Sequence, residues 1–222
     1  MKMLFLLGFL SLNAFEYTSQ FGQDKFVHET FFAHKKGGVY VDIGAHDGKT
    51  GSNTYFFEKE LKWFGICFEP LPHLFKKLQE CRDCICINAC VSSIQGVLPF
   101  LHVDSVDEML SGLCGTYDSR ALSAVMSDME RFGGEFKILQ LPCVRLGSIL
   151  EQYDITYIDF LSLDTEGCEL EILKTIDFEK ITIHVITVEN NYGQAHIKNF
   201  LESKNYCLVT RLGVDEVYEY VS

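Results

Sequence analysis

The run Gly38-Val39-Tyr40-Val41-Asp42-Ile43-Gly44-Ala45-His46-Asp47-Gly48 constrains this chain more than any other. An apolar stretch meets an acidic residue, then a glycine pair spaced four apart. That pattern reads as a buried strand opening into a tight turn, with a helix to follow. Gly44 and Gly48 lack the intervening glycine that lets a pyrophosphate press on the backbone in dinucleotide-binding turns. A nicotinamide oxidoreductase is therefore disfavoured. The turn suits a nucleoside ligand without phosphates, which needs room and hydrogen bonds rather than an anion cradle.

The rest of the chain repeats the alternation of strand and helix. Helix-like spacing runs from about Gly22 to His34 and from Ser52 to Lys62, where Ser52 is a candidate N-cap. Pro72 opens another helix with Leu74, Phe75 and Leu78 on one stripe. Further helices are expected over Arg120 to Arg131, Leu146 to Tyr153, Cys168 to Ile176 and Ala195 to Glu202. Strands are expected at Trp63 to Phe68, Ile85 to Val91, Leu98 to Val103, Ile138 to Val144, Ile158 to Asp164 and Thr182 to Val188. Ser111-Gly112-Leu113 reads as loop. Tyr206 to Leu212 and Glu216 to Val221 form a terminal antiparallel hairpin through Gly213. The order predicts an α/β domain on a mainly parallel sheet. Ligands in such sheets bind beyond the carboxyl ends of the strands. Asp42, Glu69, Asn88, Asp164, Glu166 and Glu189 all stand at those ends, which is where a site is expected.

At 222 residues and 47% hydrophobic, the chain is read as one domain over residues 16–222, with an insert at about 98–144 and no internal repeat. Residues 1–15 form an apolar segment that resembles a short secretory signal, or an arm that packs on the domain; it is too short for a transmembrane span. The cytoplasm and the secretory pathway both remain open. A net charge of −12 and no basic run longer than Lys35-Lys36 or Lys76-Lys77 argue against a nucleic-acid partner. A small molecule or glycan is expected instead. Four of the nine cysteines, Cys81, Cys84, Cys86 and Cys90, crowd together. If Cys84 to Cys90 is one strand, alternation points their thiols apart, so core packing is favoured over a metal cluster.

Each strand-end group has a chemical use. Glu69 can accept both hydroxyls of a ribose. Asp42 can bind turn amides or a ligand ammonium through water, while Ser52 and Asn53 at a helix start offer donors to a carboxylate. Asn88-Ala89 can meet an adenine edge. S-adenosylmethionine carries all of these groups. Methyl transfer from a sulfonium is an in-line displacement that needs alignment and loss of the acceptor's proton. Asp164, Glu166 and Glu189 are candidate bases if desolvation raises one toward neutrality, with His46 a weaker one. Paired carboxylates also suit Mg²⁺, but no metal is assigned. Capping is the plain alternative for Glu69, Ser52 and Glu166.

With these residues in place, the sequence resembles the FkbM-type family of S-adenosylmethionine-dependent methyltransferases from about Ser19 to Tyr192. The resemblance lies in Ser19-Gln20-Phe21-Gly22-Gln23-Asp24, Val41 to Gly48 with Ser52-Asn53-Thr54, and Gly65-Ile66-Cys67-Phe68-Glu69-Pro70. It continues in Ile87-Asn88-Ala89-Cys90, Met109 to Leu113, Leu161 to Gly167 and Val188-Glu189. It implies a Rossmann-like class I methyltransferase fold, a seven-stranded sheet with an antiparallel edge hairpin and helices on both faces. It implies S-adenosyl-L-methionine as cofactor, bound by Gln23, Asp42, Gly44, Ala45, His46, Asp47, Ser52, Asn53, Glu69, Pro70, Asn88, Ala89 and Asp164. It also implies O-methylation of a sugar or small-molecule hydroxyl, with Gln20, Gln23 and Asp24 closing over the site. A non-catalytic relative acting in protein interaction or secretory trafficking is the alternative.

Overall fold

The computed structural model describes residues 15–105, 108–117 and 119–221. The apolar N-terminal segment therefore lies outside the described residues except for Phe15. No helix among the described residues is long and apolar enough to cross a membrane.

The chain begins with α1 (Gln23–Phe31), β1 (Val39–Ile43), α2 (Tyr55–Lys59), β2 (Phe64–Phe68), α3 (Pro72–Cys81) and β3 (Ile85–Ile87). A second group follows: β4 (Cys90–Val91), β5 (Gly96–Asp104), a short 3₁₀ turn at Glu108–Leu110, β6 (Gly112–Leu113), α4 (Ser119–Phe132) and β7 (Glu135–Val144). The last elements are α5 (Leu146–Gln152), β8 (Tyr157–Leu163), α6 (Glu169–Lys174), β9 (Thr182–Glu189), α7 (Ala195–Glu202), β10 (Tyr206–Leu212) and β11 (Asp215–Tyr220).

Seven strands form one sheet in the order β10-β11-β9-β8-β1-β2-β3. The pairs β1–β2, β1–β8, β2–β3 and β8–β9 are parallel, and β11 runs antiparallel to both β9 and β10. The hairpin is at the edge as expected, and its antiparallel strand is inserted one place inside it. β1 and β8 are almost continuously apolar because helices cover both faces of the sheet. One core layer holds Ile43, Leu161, Ile172 and Leu173, and the other holds Val27, Phe32, Phe56, Phe57 and Trp63. Tyr40 is fully buried between β1 and β2. It fits because its neighbour is Gly65, where a Cβ would stand 1.9 Å from the ring.

Three expectations need correction. The strand read over Ile85 to Val91 is two strands, β3 in the large sheet and β4 in a second sheet ordered β4-β7-β5-β6. The chain changes sheets at Asn88-Ala89. Ser111-Gly112-Leu113 includes the two-residue strand β6, paired with Phe100 and Leu101. The helix expected from Ser52 to Lys62 is only Tyr55–Lys59 with Thr54 as its N-cap, and Lys62 takes a left-handed φ of 59° as the chain turns into β2. β5 and β7 pair over nine residue positions, so most of residues 98–144 builds the second sheet.

The cysteines follow the same correction. All nine are free. Cys84 and Cys86, two apart, share a face: Cys84 Sγ lies 3.4 Å from Cys67 Sγ and 3.8 Å from Cys86 Sγ. Cys90 is separated from them because it belongs to the other sheet.

Candidate active site

The turns after β1, β2 and β8 face one another at the carboxyl end of the large sheet, where the chain's direction of progress across the sheet reverses. They enclose a cleft that opens to solvent. Asp42, Glu69 and Asp164 all line it, so three acidic residues far apart in sequence share one wall.

The turn after β1 is set by Gly44. Its φ is +91°, and a Cβ there would stand 1.9 Å from the backbone oxygen of Asp164. Gly44 and Ala45 donate their N–H groups to the Phe68 carbonyl, 3.1 and 2.9 Å away, and Asp164 N–H bonds Ile43 O at 3.0 Å. The three strand ends are thus laced together by backbone.

Glu69 is buried, with its two carboxylate oxygens split between two turns. Oε2 accepts His46 N–H at 3.0 Å, and Oε1 accepts Leu71 N–H at 2.8 Å. Burial pushes its pKa up to about 8 against those two bonds, with Glu108 and Asp42 adding repulsion. Each oxygen keeps a lone pair for another donor. Asp42 accepts Thr54 Oγ1–H at 2.6 Å and Ser52 Oγ–H at 3.4 Å. Its pKa is raised by burial, with Arg82 pulling the other way. Ser52 Oγ also accepts the Thr54 and Tyr55 N–H groups at 3.2 and 3.1 Å, but Thr54 and not Ser52 is the N-cap of α2.

Asn53 is oriented by its neighbours. Its Nδ2 donates to Ser162 Oγ at 3.1 Å and helps hold down the pKa of Asp215, which burial raises. Asn53 Oδ1 is buried and has no partner. Gln23 Nε2 donates to Asp215 Oδ2 at 2.6 Å, bringing the terminal hairpin to the cleft. Gln20, Gln23, Gly44, Ala45, His46, Ser52, Asn53, Pro70 and Ala89 all line the wall, as does Asp215.

Other expected site residues stand behind the wall. Asp47 is occupied by the N–H groups of Lys49 and Thr50 at 2.9 and 2.7 Å. Asn88 Nδ2 donates to the Glu69 and Pro70 carbonyls at 2.8 and 3.0 Å, bracing that turn instead of lining the cleft. Asp24 ties down its own segment through the N–H groups of Thr18 and Ser19 at 2.6 and 3.2 Å. Glu189 is buried and hydrogen-bonded to Asp164. Burial and the nearby charges of Asp164, Glu166 and Glu169 push Glu189 up to about 12. Burial and Asp215 push Asp164 up to about 7. Asp164 is nevertheless exposed to the cleft, so water there tempers its shift. Glu166 lines the cleft with φ +58°, and Glu169 Oε1 caps its loop by accepting the Thr165 and Gly167 N–H groups at 2.9 and 3.0 Å.

Sequence reasoning overlooked Arg82. Its side chain is fully buried, with Nε 2.9 Å from Glu58 Oε2, Nη1 2.8 Å from Gly48 O and Nη2 2.6 Å from Thr54 Oγ1. It clamps the glycine turn to α2 from outside the cleft. Only its place at the end of an amphipathic helix hinted at burial. Asp215 and Glu108 were also overlooked, since neither ends a parallel strand.

A family model described as the methyltransferase FkbM domain matches residues 42–208. No curated protein gives a match. Among solved structures, methyltransferase FkbM from Methylobacillus flagellatus KT shares 14% identity at a TM-score of 0.49, over 89% of this chain and 50% of that one. This chain thus spans half that protein's length. A precorrin-6y C5,15-methyltransferase from Geobacter metallireducens GS-15 shares 11% identity at a TM-score of 0.45, over 90% of this chain and 87% of that one. A methyltransferase from Pyrococcus furiosus shares 11% at 0.39, over 87% and 78% respectively.

Proposed function

Because this chain belongs to the FkbM methyltransferase family, matched from residue 42 to 208, we propose that it moves a methyl group from S-adenosylmethionine to a hydroxyl oxygen of a small molecule or glycan. One observation carries the proposal: Asp42, Glu69 and Asp164 face a single cleft beside a turn that needs glycine. The buried, unpartnered Asn53 Oδ1 supports the fit, since an empty acceptor of that kind costs about 1–3 kcal/mol unless a ligand donor meets it.

When bound, S-adenosylmethionine supplies a methyl group already activated by its sulfonium. The chain's own residues then have three duties. Glu69 accepts the two ribose hydroxyls on its remaining lone pairs, and those donors favour its ionised form. Asn53 Oδ1 accepts the amino-acid ammonium, because the amide's donor is already spent on Ser162. This reverses the carboxylate-binding role read from the sequence. Ala89, Cys90, Leu71 and Leu74 give an apolar wall on which an adenine can lie.

The third duty is removal of the acceptor's proton. Glu189 keeps its proton and donates it in a hydrogen bond to Asp164, which leaves Asp164 as the member that titrates near neutrality. Asp164 then takes the hydroxyl proton, and Glu166 at the rim orients the acceptor.

Isothermal calorimetry tests the first half. S-adenosylmethionine should bind with micromolar affinity, and an absence of binding by folded protein overturns the proposal. Formation of S-adenosylhomocysteine across a hydroxyl-bearing acceptor panel tests the second half. Binding without turnover on any acceptor favours the non-catalytic alternative.

A further inference from the structure

On the rim away from the strand ends, three side chains from three elements converge. His73 is on α3, His102 is on β5, and Glu108 opens the 3₁₀ turn. His73 Nε2 lies 2.8 Å and His102 Nε2 2.6 Å from the same oxygen, Glu108 Oε1. The ligand atoms of all three lie within 4.8 Å of one another. Glu108 also lines the cleft, whereas His73 is half exposed and His102 nearly buried.

We propose that His73, His102 and Glu108 bind one divalent first-row metal ion of the Zn²⁺ class at the wall of the cleft. Two imidazoles and one carboxylate are the donor set that leaves a fourth position open on such an ion. Tetrahedral bonds of about 2.0–2.1 Å put ligand atoms about 3.3 Å apart. The present separations, 2.6 and 2.8 Å on Glu108 Oε1 and within 4.8 Å overall, bracket this value. The charge balance favours a cation too. Glu108 sits close enough to Glu69 to repel it, and the whole chain carries −12. Ion binding here does not depend on methyl transfer. The ion would stand beside the cleft that Glu108 lines, where its fourth position can take water or an oxygen of the acceptor; only the acceptor clause rests on the function proposed above.

The test is a titration of chelator-treated, dialysed protein with Co²⁺, followed by Zn²⁺ in competition with a chromophoric chelator. One equivalent of Co²⁺ should bind with the visible bands of a nitrogen- and oxygen-ligated ion and without a thiolate charge-transfer band. His73→Ala and Glu108→Gln should each weaken Zn²⁺ by at least the roughly 10–100-fold seen when an outer partner is lost. Their melting temperatures report that both variants fold, His73 being on an exposed helix face. Three results each overturn the site: no binding, unchanged binding in both variants, or a thiolate signature that places the ion on Cys67, Cys84 and Cys86. S-adenosylmethionine calorimetry on the same metal-free protein separates this outcome from failure of the methyltransferase proposal.

Discussion

The backbone oxygen of Asp164 stands 1.9 Å from the point a Cβ on Gly44 would occupy. The base proposed for the reaction and the turn proposed for the cofactor therefore meet across β1 and β8. Neither can shift without the other. Gly44→Ala should destabilise the fold by more than the ~1–3 kcal/mol of a strained left-handed residue, because backbone must also move. Thermal unfolding checks this, and an unchanged melting temperature would refute the close approach.

Glu69→Ala should weaken S-adenosylmethionine binding by about 1–3 kcal/mol, measured by calorimetry. Part of that loss belongs to the His46 and Leu71 turns that Glu69 braces. A cofactor analogue lacking both ribose hydroxyls separates the parts. It should lose less affinity on Glu69→Ala than S-adenosylmethionine does, the difference being the ribose share. A full loss with that analogue would show that Glu69 only holds the turns.

Arg82→Met should cost about 1.5–3 kcal/mol in a denaturant titration, since Glu58 Oε2 and the Gly48 carbonyl lose a charged donor while Lys59, 2.9 Å from Glu58 Oε1, still pairs with that carboxylate. Arg82→Lys should recover little of this. Lysine cannot reach Glu58, Gly48 and Thr54 at once, as the planar guanidinium does. A lysine variant as stable as wild type would contradict the clamp.

The raised carboxylates set a pH dependence with a definite sign. Glu69 at about 8 and Asp164 at about 7 hold protons that an unfolded chain has released above about pH 4–5. The folded state binds more protons in that window, so stability is greatest near its acid side and falls as pH rises toward 8. Glu189, pushed up to about 12, keeps its proton through the whole window and adds to the decline, whereas Asp164 contributes less because it meets cleft water. The slope for one fully buried group is at most about 1.4 kcal/mol per pH unit. Melting temperatures from pH 5.5 to 8 should therefore decline, and Glu69→Gln should flatten the decline. A rise across that range would count against these shifts.

Methyl transfer should lose rate as pH falls through Asp164's range, because a protonated Asp164 cannot take the hydroxyl proton. Asp164→Asn should abolish that limb and lower kcat by about 10²-fold or more. An unaltered pH profile in the asparagine variant would remove Asp164 from the role.

Where a strand carries its own signal, the chain announces its structure plainly. β1, β2 and β8 are short apolar runs with acidic residues at their ends, so both the strands and the cleft beyond them were legible, but not their order in the sheet. Ile85 to Val91 was not. Its apolar pattern resumes at once after Asn88, and only that side chain, tied to the Glu69 and Pro70 carbonyls, marks the change of sheet. Arg82 and Glu108 were hidden for another reason. A charged residue on a helix or short turn reads as solvated, and only the tertiary fold brings it to partners. Asn53 shows a finer limit. The residue was legible as a ligand-facing amide, but which of its two ends is free depends on Ser162 and Asp215.

The bond from Gln23 to Asp215 joins positions 192 residues apart. During synthesis, the pocket wall cannot close until the last hairpin has left the ribosome, long after the glycine turn emerges. A nascent or C-terminally clipped polypeptide would thus carry the glycine turn without the Asp215 side of the cleft wall.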